Sequence, residues 1–266
     1  MIKRCIYYLI NFNILLYLTI GVRVLDAQEL DINASAYEIM ESVDKQITIN
    51  WGLNKVQLTI TSKKGNISVY KVSHFKKDEN AILYFDSQTR GRVLKVLYND
   101  SGENIYVYNV HNKKFYHKSA DDKFEYLLGS GFSYFDLANL KFLDNFTPKV
   151  NGIEKNNGKQ LLRIENIPLD KGIYSKINIL VDHKDNYRLT RIDYYARDGV
   201  LLKSLKPTFN MLPLRSKSKK ASEVYSSVKW EMVHMGYGSS SIYEFLLVDQ
   251  SANLNAALFD KQNIEK

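Results

Sequence analysis

YRLTRIDYYARDGVLLKSLK, residues Tyr187–Lys206, decides the class of fold. It consists of two runs rich in aromatic and aliphatic side chains, Tyr187–Ala196 and Val200–Lys206, joined through Asp198-Gly199. An Asp-Gly pair accepts the left-handed backbone that a tight hairpin turn requires, so the stretch predicts two antiparallel strands. The pattern continues in both directions. Upstream, strands are expected at Ile67–Phe75, Ala81–Ser87, Arg92–Tyr98, Asn104–Val110 and Lys113–Lys118, and then at Phe146–Glu154, Gln160–Asn166 and Ser175–Val181. Downstream come Val224–His234 and Ser241–Val248. Short polar turns such as Lys63–Asn66, Thr89–Gly91 and His111-Asn112 separate most of them. Roughly eleven to thirteen strands result, joined mostly in sequence, which is the signature of an antiparallel sheet.

At the start of the sheet, Ile47, Ile49, Trp51 and Leu53 alternate on odd positions, whereas Val56, Leu58 and Ile60 alternate on even ones. A strand changes face only through an extra residue, so a bulge is expected near Asn54-Lys55. Helical spacing is confined to Ala34–Lys45, with Asn33 or Ser35 as its cap, to Phe132–Leu143, and to a short tail at Ala252–Phe259. The fold class is therefore mainly β with few helices (α+β). Several strands are apolar on both sides: Ile105 and Val107 oppose Tyr106 and Tyr108, and Tyr243, Phe245 and Leu247 oppose Ile242, Leu246 and Val248. Such strands need a cover on each face. So few helices leave room for a concave apolar cavity.

Composition agrees with a folded chain. Of 266 residues, 45% are hydrophobic and 25% charged, with only 4 Pro and 13 Gly, which excludes disordered and fibrous classes. The single Cys excludes an intrachain disulfide and a zinc site built on thiolates. Residues 1–27 read as a secretory signal: Lys3 and Arg4, the apolar run Ile6–Val22, and a cleavage point near Ala27. The alternative is an uncleaved anchor. Cys5 precedes the apolar run, so it does not mark a lipid-anchored protein. The expected product is a soluble exported protein, with residues 28–266 forming one domain.

Catalytic signals are missing. The five His (His74, His111, His117, His183 and His234) include no zinc-protease pair, and His111 and His117 only bracket a turn. No nucleophile elbow and no phosphate-binding glycine loop occur. Asp121-Asp122, Asp182 and Asp185 are turn acids. Hence no enzyme activity, cofactor or metal is expected, and no nucleic-acid motif is present. The net charge is +8, and the run Arg215–Lys220 is either a solvated loop or a contact for anionic headgroups.

Four motifs then resemble the outer-membrane lipoprotein-sorting proteins, relatives of the periplasmic carrier LolA. They are Leu58-Thr59-Ile60-Thr61 with Lys64-Gly65-Asn66, Ile105-Tyr106-Val107-Tyr108 through Phe115, Leu128–Leu137, and Tyr194–Lys203. The third is the most specific: the family reads Gly-Ser-Asp-Phe-Ser-Tyr-x-Asp-Leu where this chain has Gly129-Ser130-Gly131-Phe132-Ser133-Tyr134-Phe135-Asp136-Leu137. Gly131 departs from it, and Pro207–Ser222 is longer and more basic than in the family. The resemblance implies a curved antiparallel sheet forming an incomplete β-barrel, covered by helices, over residues 28–266. It implies a non-catalytic carrier that holds acyl chains of lipids or lipoproteins, alongside an inner-membrane transporter, and acts as a monomer. The alternative is an adaptor of an envelope complex with a filled core. Alternation places Trp51, Leu83, Phe85, Leu94, Val96, Tyr106 and Tyr108 as candidate cavity residues, with Phe132 and Phe135 from a lid; ordinary core packing is the competing role of each. Ala34–Lys45 and Phe132–Leu143 are the candidate covers. Arg90 and Arg92 either hold a lid or belong to a solvated turn.

Overall fold

Helix α1, Ala36–Ile47, forms because its first turn is capped and one face is apolar. Ser35 Oγ accepts the Glu38 N–H while Glu38 accepts the Ser35 N–H, a reciprocal capping box. Ile39, Met40 and Val43 are buried along one stripe. Ile47 continues that period and ends the helix, so Ile47–Trp51 is not part of the first strand as expected. In this computed structural model, which describes residues 34–119, 121–138, 141–156, 158–170, 172–217 and 222–266, thirteen strands follow. The expected signal segment, residues 1–27, lies outside the described residues, as do residues 218–220 of the basic run.

The first six strands are β1 Gly52–Thr61, β2 Ile67–Lys77, β3 Asn80–Ser87, β4 Gly91–Asn99, β5 Asn104–Asn109 and β6 Lys114–Lys118. A one-turn helix α2, Phe142–Asn145, precedes β7 Phe146–Asn156, β8 Lys159–Pro168, β9 Tyr174–Asp182, β10 Arg188–Ala196, β11 Leu201–Arg215, β12 Ser222–His234 and β13 Ser239–Asp249. They form one sheet in the order β6-β5-β4-β3-β2-β1-β13-β12-β11-β10-β9-β8-β7. Each neighbouring pair is antiparallel, and a two-residue parallel contact also joins β11 to β13. The expected Asp198-Gly199 turn is present, with Gly199 at φ +81° and its N–H donating to the Ala196 carbonyl. The expected bulge is also present: the β1–β13 register shifts between Lys55 and Val56.

This order has a topological consequence. β6 and β7 are consecutive in the chain but form the two opposite edges of the sheet. The segment 119–145 must therefore cross from one edge to the other. The edges do not pair with each other, so the sheet stays open rather than closing into a barrel.

Register divides the side chains into an inner and an outer face. Leu83 pairs with Val96 and Phe85 with Leu94, while Ile82 pairs with Leu97 on the other side. Across β1, β13 and β12 the inner row runs Leu58, Tyr243, Trp230, and it continues through Leu205 and Ile192. Phe132 of the crossing segment packs on Tyr243, with ring centroids 6.0 Å apart. The outer face of β3–β5 is covered by the C-terminal tail, where Leu254, Phe259 and Ile264 bury Ile82, Leu97 and Tyr108. The expected cover on both faces is thus found at β5, whereas on β13, also apolar on both sides, Leu246 is 49% exposed.

Two expected helices are replaced by tighter turns. Phe132–Leu143 is not one helix: it contains a 3₁₀ turn at Phe135–Leu137, then α2. Ser133 and Asp136 satisfy each other's backbone N–H groups with their side chains, at 2.6 and 3.2 Å, and this local bonding competes with helix propagation. The tail folds as 3₁₀ turns at Ala256–Phe259 and Lys261–Asn263, capped by Asn255 and Asp260.

Gly131 has a physical reason. A Cβ there would lie 2.9 Å from Met232 Cγ, and its N–H donates to Ser241 Oγ at 2.9 Å. The crossing segment thus touches the sheet backbone-first. Gly131→Asp, which restores the family residue, should lower unfolding free energy by about 2 kcal/mol or more, and Gly131→Ala by less because the Met232 side chain can shift. Urea midpoints of the two variants against the parent check this; a stable Gly131→Asp chain contradicts it.

Candidate functional site

An apolar hollow lies where the cover meets the second half of the sheet. Ile192 and Tyr194 of β10, Leu205 of β11 and Trp230 of β12 form its floor. Ile47 at the end of α1, Phe135 of the crossing segment, and Phe142 and Phe146 close it from above, with Asp136 and Lys141 as its polar members. Its volume is about 50 Å³. Since one water-sized sphere needs about 10–15 Å³ on that scale, the hollow admits a few atoms and not an extended acyl chain. A larger cleft of about 340 Å³ adjoins it, lined by Phe124, Pro168, Leu169 and Tyr174 among others. Phe135 and Phe146 line both spaces.

The expected site residues divide into three groups. Leu83, Phe85, Leu94 and Val96 do share the inner face and are buried, but within the first half of the sheet, and Phe132 is buried against Tyr243 of β13. Tyr106 and Tyr108 lie on the opposite, outer face: Tyr106 pairs with Leu97 and Tyr108 with Lys95, and Tyr108 packs under the tail. Trp51 precedes β1 and is 44% exposed. Among the described residues, Phe135 is the one expected residue that lines the hollow. Arg92 pairs with Asp86 at 3.0 Å and lies over the Tyr84 ring, on the outer face and away from the cover. Trp230, Leu205 and Ile192 were missed although their alternation was equally legible. Nothing in a strand's own pattern tells which half of a sheet its cover fits loosely.

Two of the family-like motifs meet at one ion pair. Lys203, fully buried on β11, donates to Asp136 Oδ2, which also accepts the Ser133 N–H at 2.6 Å and the Ser133 hydroxyl at 2.9 Å. The rings of Tyr194, Tyr126 and Tyr174 surround the ammonium at 4.9, 5.6 and 5.6 Å, within cation–π range. Burial pushes the Lys203 ammonium below its ordinary range, and Asp136 opposes that shift. Burial, reinforced by the Asp136 charge, holds the Tyr174 and Tyr194 phenols well above theirs. His74 is buried and neutral, its pKa lowered to about 3 by burial and by Lys76, with Nδ1 3.0 Å from the Tyr243 hydroxyl. No group of three or more His, Cys, Asp or Glu that could hold a metal is found among the described residues. The arrangement clamps a polypeptide segment onto a sheet.

The cover elements are tied to each other. Asp44 of α1 is buried and accepts the N–H groups of Phe142 at 2.8 Å and Leu143 at 3.3 Å, capping α2 from outside that helix. Burial raises its carboxyl from 3.8 to about 6, with the two backbone hydrogen bonds opposing the rise. Because the folded-state value lies above the unfolded one, the folded chain binds this proton more tightly. Stability from this group is therefore gained as pH falls through 6 and lost as it rises. Asp44→Asn keeps an acceptor and removes the titration. The parent should gain roughly 1–1.5 kcal/mol relative to Asp44→Asn between pH 8 and pH 5. Urea unfolding of both chains at the two pH values measures it; a constant gap contradicts it.

Comparison with known proteins agrees with this geometry at the level of fold. A domain from Vibrio parahaemolyticus described as an outer membrane lipoprotein-sorting protein superposes with a TM-score of 0.68 at 19% identity, covering 85% of this chain and 97% of that one. A DUF1329 family protein from Desulfovibrio piger gives 0.69 at 19% identity, covering 86% and 97%. A LolA superfamily protein from Nitrosomonas europaea gives 0.65 at 17% identity, covering 86% and 99%. The LolA-like fold expected from the four motifs is the fold observed. No curated protein matches the chain in sequence. A family model described as "-like: Uncharacterized protein" matches residues 77–266, well over half of the sequence, and the chain belongs to that family.

Proposed function

We propose that the chain is an exported, non-catalytic binding protein that holds acyl chains of lipids or lipoproteins beneath its cover. The observation that carries this reading is the apolar hollow at Trp230, which shares Phe135 and Phe146 with the lining of a larger cleft. Its LolA-like fold supports the same reading. Each methylene moved from water into such a space gains about 0.8 kcal/mol, so a carrier needs apolar area rather than polar catalysts. The hollow is small as it stands, about 50 Å³. Loading requires Phe135 to swing and the one-turn helix α2 to lift from Asp44, which joins the two spaces into one channel. A carrier must release its cargo, and a short cover held by one side chain suits that need. Export through a signal at residues 1–27, a periplasmic location, a monomeric state and delivery by way of an inner-membrane transporter belong to this reading.

A second reading is favoured by one specific observation. On the first half of the sheet the inner face is filled: Leu83, Phe85 and Val96 are all fully buried. An adaptor of an envelope complex with a solid core would look the same there.

The chain has two Trp, and only Trp230 lines the hollow. In a Trp51→Phe variant, Trp230 fluorescence should be quenched by a dibrominated fatty acid, and organic extracts of natively purified protein should contain lipid. Leu205→Phe, which narrows the space at a stability cost of about 1–3 kcal/mol, should weaken the quenching. No quenching together with lipid-free extracts transfers the case to the adaptor.

A further inference from the structure

The end of the sheet where β1 begins and β11 and β13 finish has features that the binding reading does not use. β11 pairs with β10 only up to Leu205; beyond it, β11 and β12 continue paired with each other as a hairpin. The end of β11 returns to β13: Arg215 lies opposite Asp249, and the Gln250 N–H donates to the Arg215 carbonyl at 2.8 Å. Asp249 also pairs with Leu53, which brings Trp51, just ahead of β1, to the same end. Asn50 Nδ2 lies 3.4 Å from Ser226 Oγ and ties the α1–β1 connection to the hairpin.

Three large apolar side chains are exposed here. Trp51 is 44% exposed, Met211 46% and Tyr225 52%, and Met211 and Tyr225 are register partners on the hairpin. Cations stand among them. Arg188 donates to the Tyr225 hydroxyl and lies over the Tyr225 and Phe209 rings while pairing with Asp185. Arg215 pairs with Asp249. Lys45 and Lys217 make no ion pair among the described residues, and Lys45 shares its cleft with Asp185. One acid opposes them on the hairpin, Glu223, the partner of Pro213. The last turn of α1 separates this end from the hollow: Lys45 and Gln46 line a polar cleft of about 350 Å³ on one side, and Ile47 lines the hollow on the other.

We propose that this end of the sheet docks on the surface of an anionic phospholipid bilayer. Trp and Tyr have an apolar body and a polar tip and settle at a headgroup boundary. Unpaired lysines beside them meet lipid phosphates, and the net charge of +8 adds long-range attraction to an anionic surface. Docked in this way, the protein places the end of its hollow one helical turn from the bilayer.

The test uses the full chain and vesicles of phosphatidylglycerol and phosphatidylethanolamine carrying brominated acyl chains. In a Trp230→Phe variant, which leaves Trp51 as the single Trp, quenching is expected with these vesicles, is lost at high salt and is weak with phosphatidylcholine vesicles. Lys45→Gln and Lys217→Gln should each weaken binding roughly fivefold, and Glu223→Gln should strengthen it by a similar factor. Lys113→Gln, at the opposite end of the strands, should leave it unchanged. Equal binding to neutral vesicles, no response to the three charge changes, or no quenching of Trp51 in Trp230→Phe overturns the proposal. Its failure leaves fatty-acid quenching of Trp230 untouched, so the two readings fall separately.

Discussion

The structure depends on a buried ammonium that must have a partner. Lys203 has no access to water, and leaving a buried charge unpaired costs several kcal/mol. Its partner, Asp136, belongs to the crossing segment, and the three surrounding phenol rings come from that same segment and from the sheet. The pair therefore fixes where the crossing segment rests on the inner face. Replacing both partners with apolar groups can be neutral in stability, so the value of such a pair lies in specifying one position among several. Here that position brings Phe135 over the floor made by Tyr194, Leu205 and Trp230.

The topology explains why such an anchor is needed. Two meanders meet at β1 and β13, and the chain passes between their outer edges by crossing the whole sheet. A long connection of this kind has little regular secondary structure of its own. It is held by point contacts: Gly131 against Met232 and Ser241, Asp136 against Lys203, and Asp44 against the start of α2. The first two lock the early part of the segment. The last is a pair of hydrogen bonds to a single carboxyl, and it holds the part that closes the hollow. The early part of the segment is thus attached more firmly than its end, a gradient of local stability, and the hollow, lined by both Asp136 and Phe142, lies along it.

Much of this architecture was legible in the sequence. The strand runs, the Asp-Gly hairpin at Asp198-Gly199, the face change near Asn54-Lys55 and the first helix follow from periodicity and turn chemistry, which are local properties. The four family-like motifs pointed to the LolA-like fold, and two of them, around Asp136 and Lys203, turned out to be partners in space. Errors arose where local signals competed. Ile47 fits both a strand alternation and a helical stripe, and the helix took it. Phe132–Leu143 has helical spacing, but Ser133 and Asp136 bond to each other's backbone instead.

By itself, then, the sequence determined the class of fold, the number and approximate position of the strands, and the need for covers on both faces, because side-chain period and turn residues act over a few positions. It did not determine which face of β5 turns toward the cover, so Tyr106 and Tyr108 were assigned to the wrong side. Nor did it determine that the hollow sits over Trp230 rather than over Leu83 and Phe85. Those outcomes rest on register across thirteen strands and on where a crossing segment touches down, and both are settled by contacts between residues far apart in the chain.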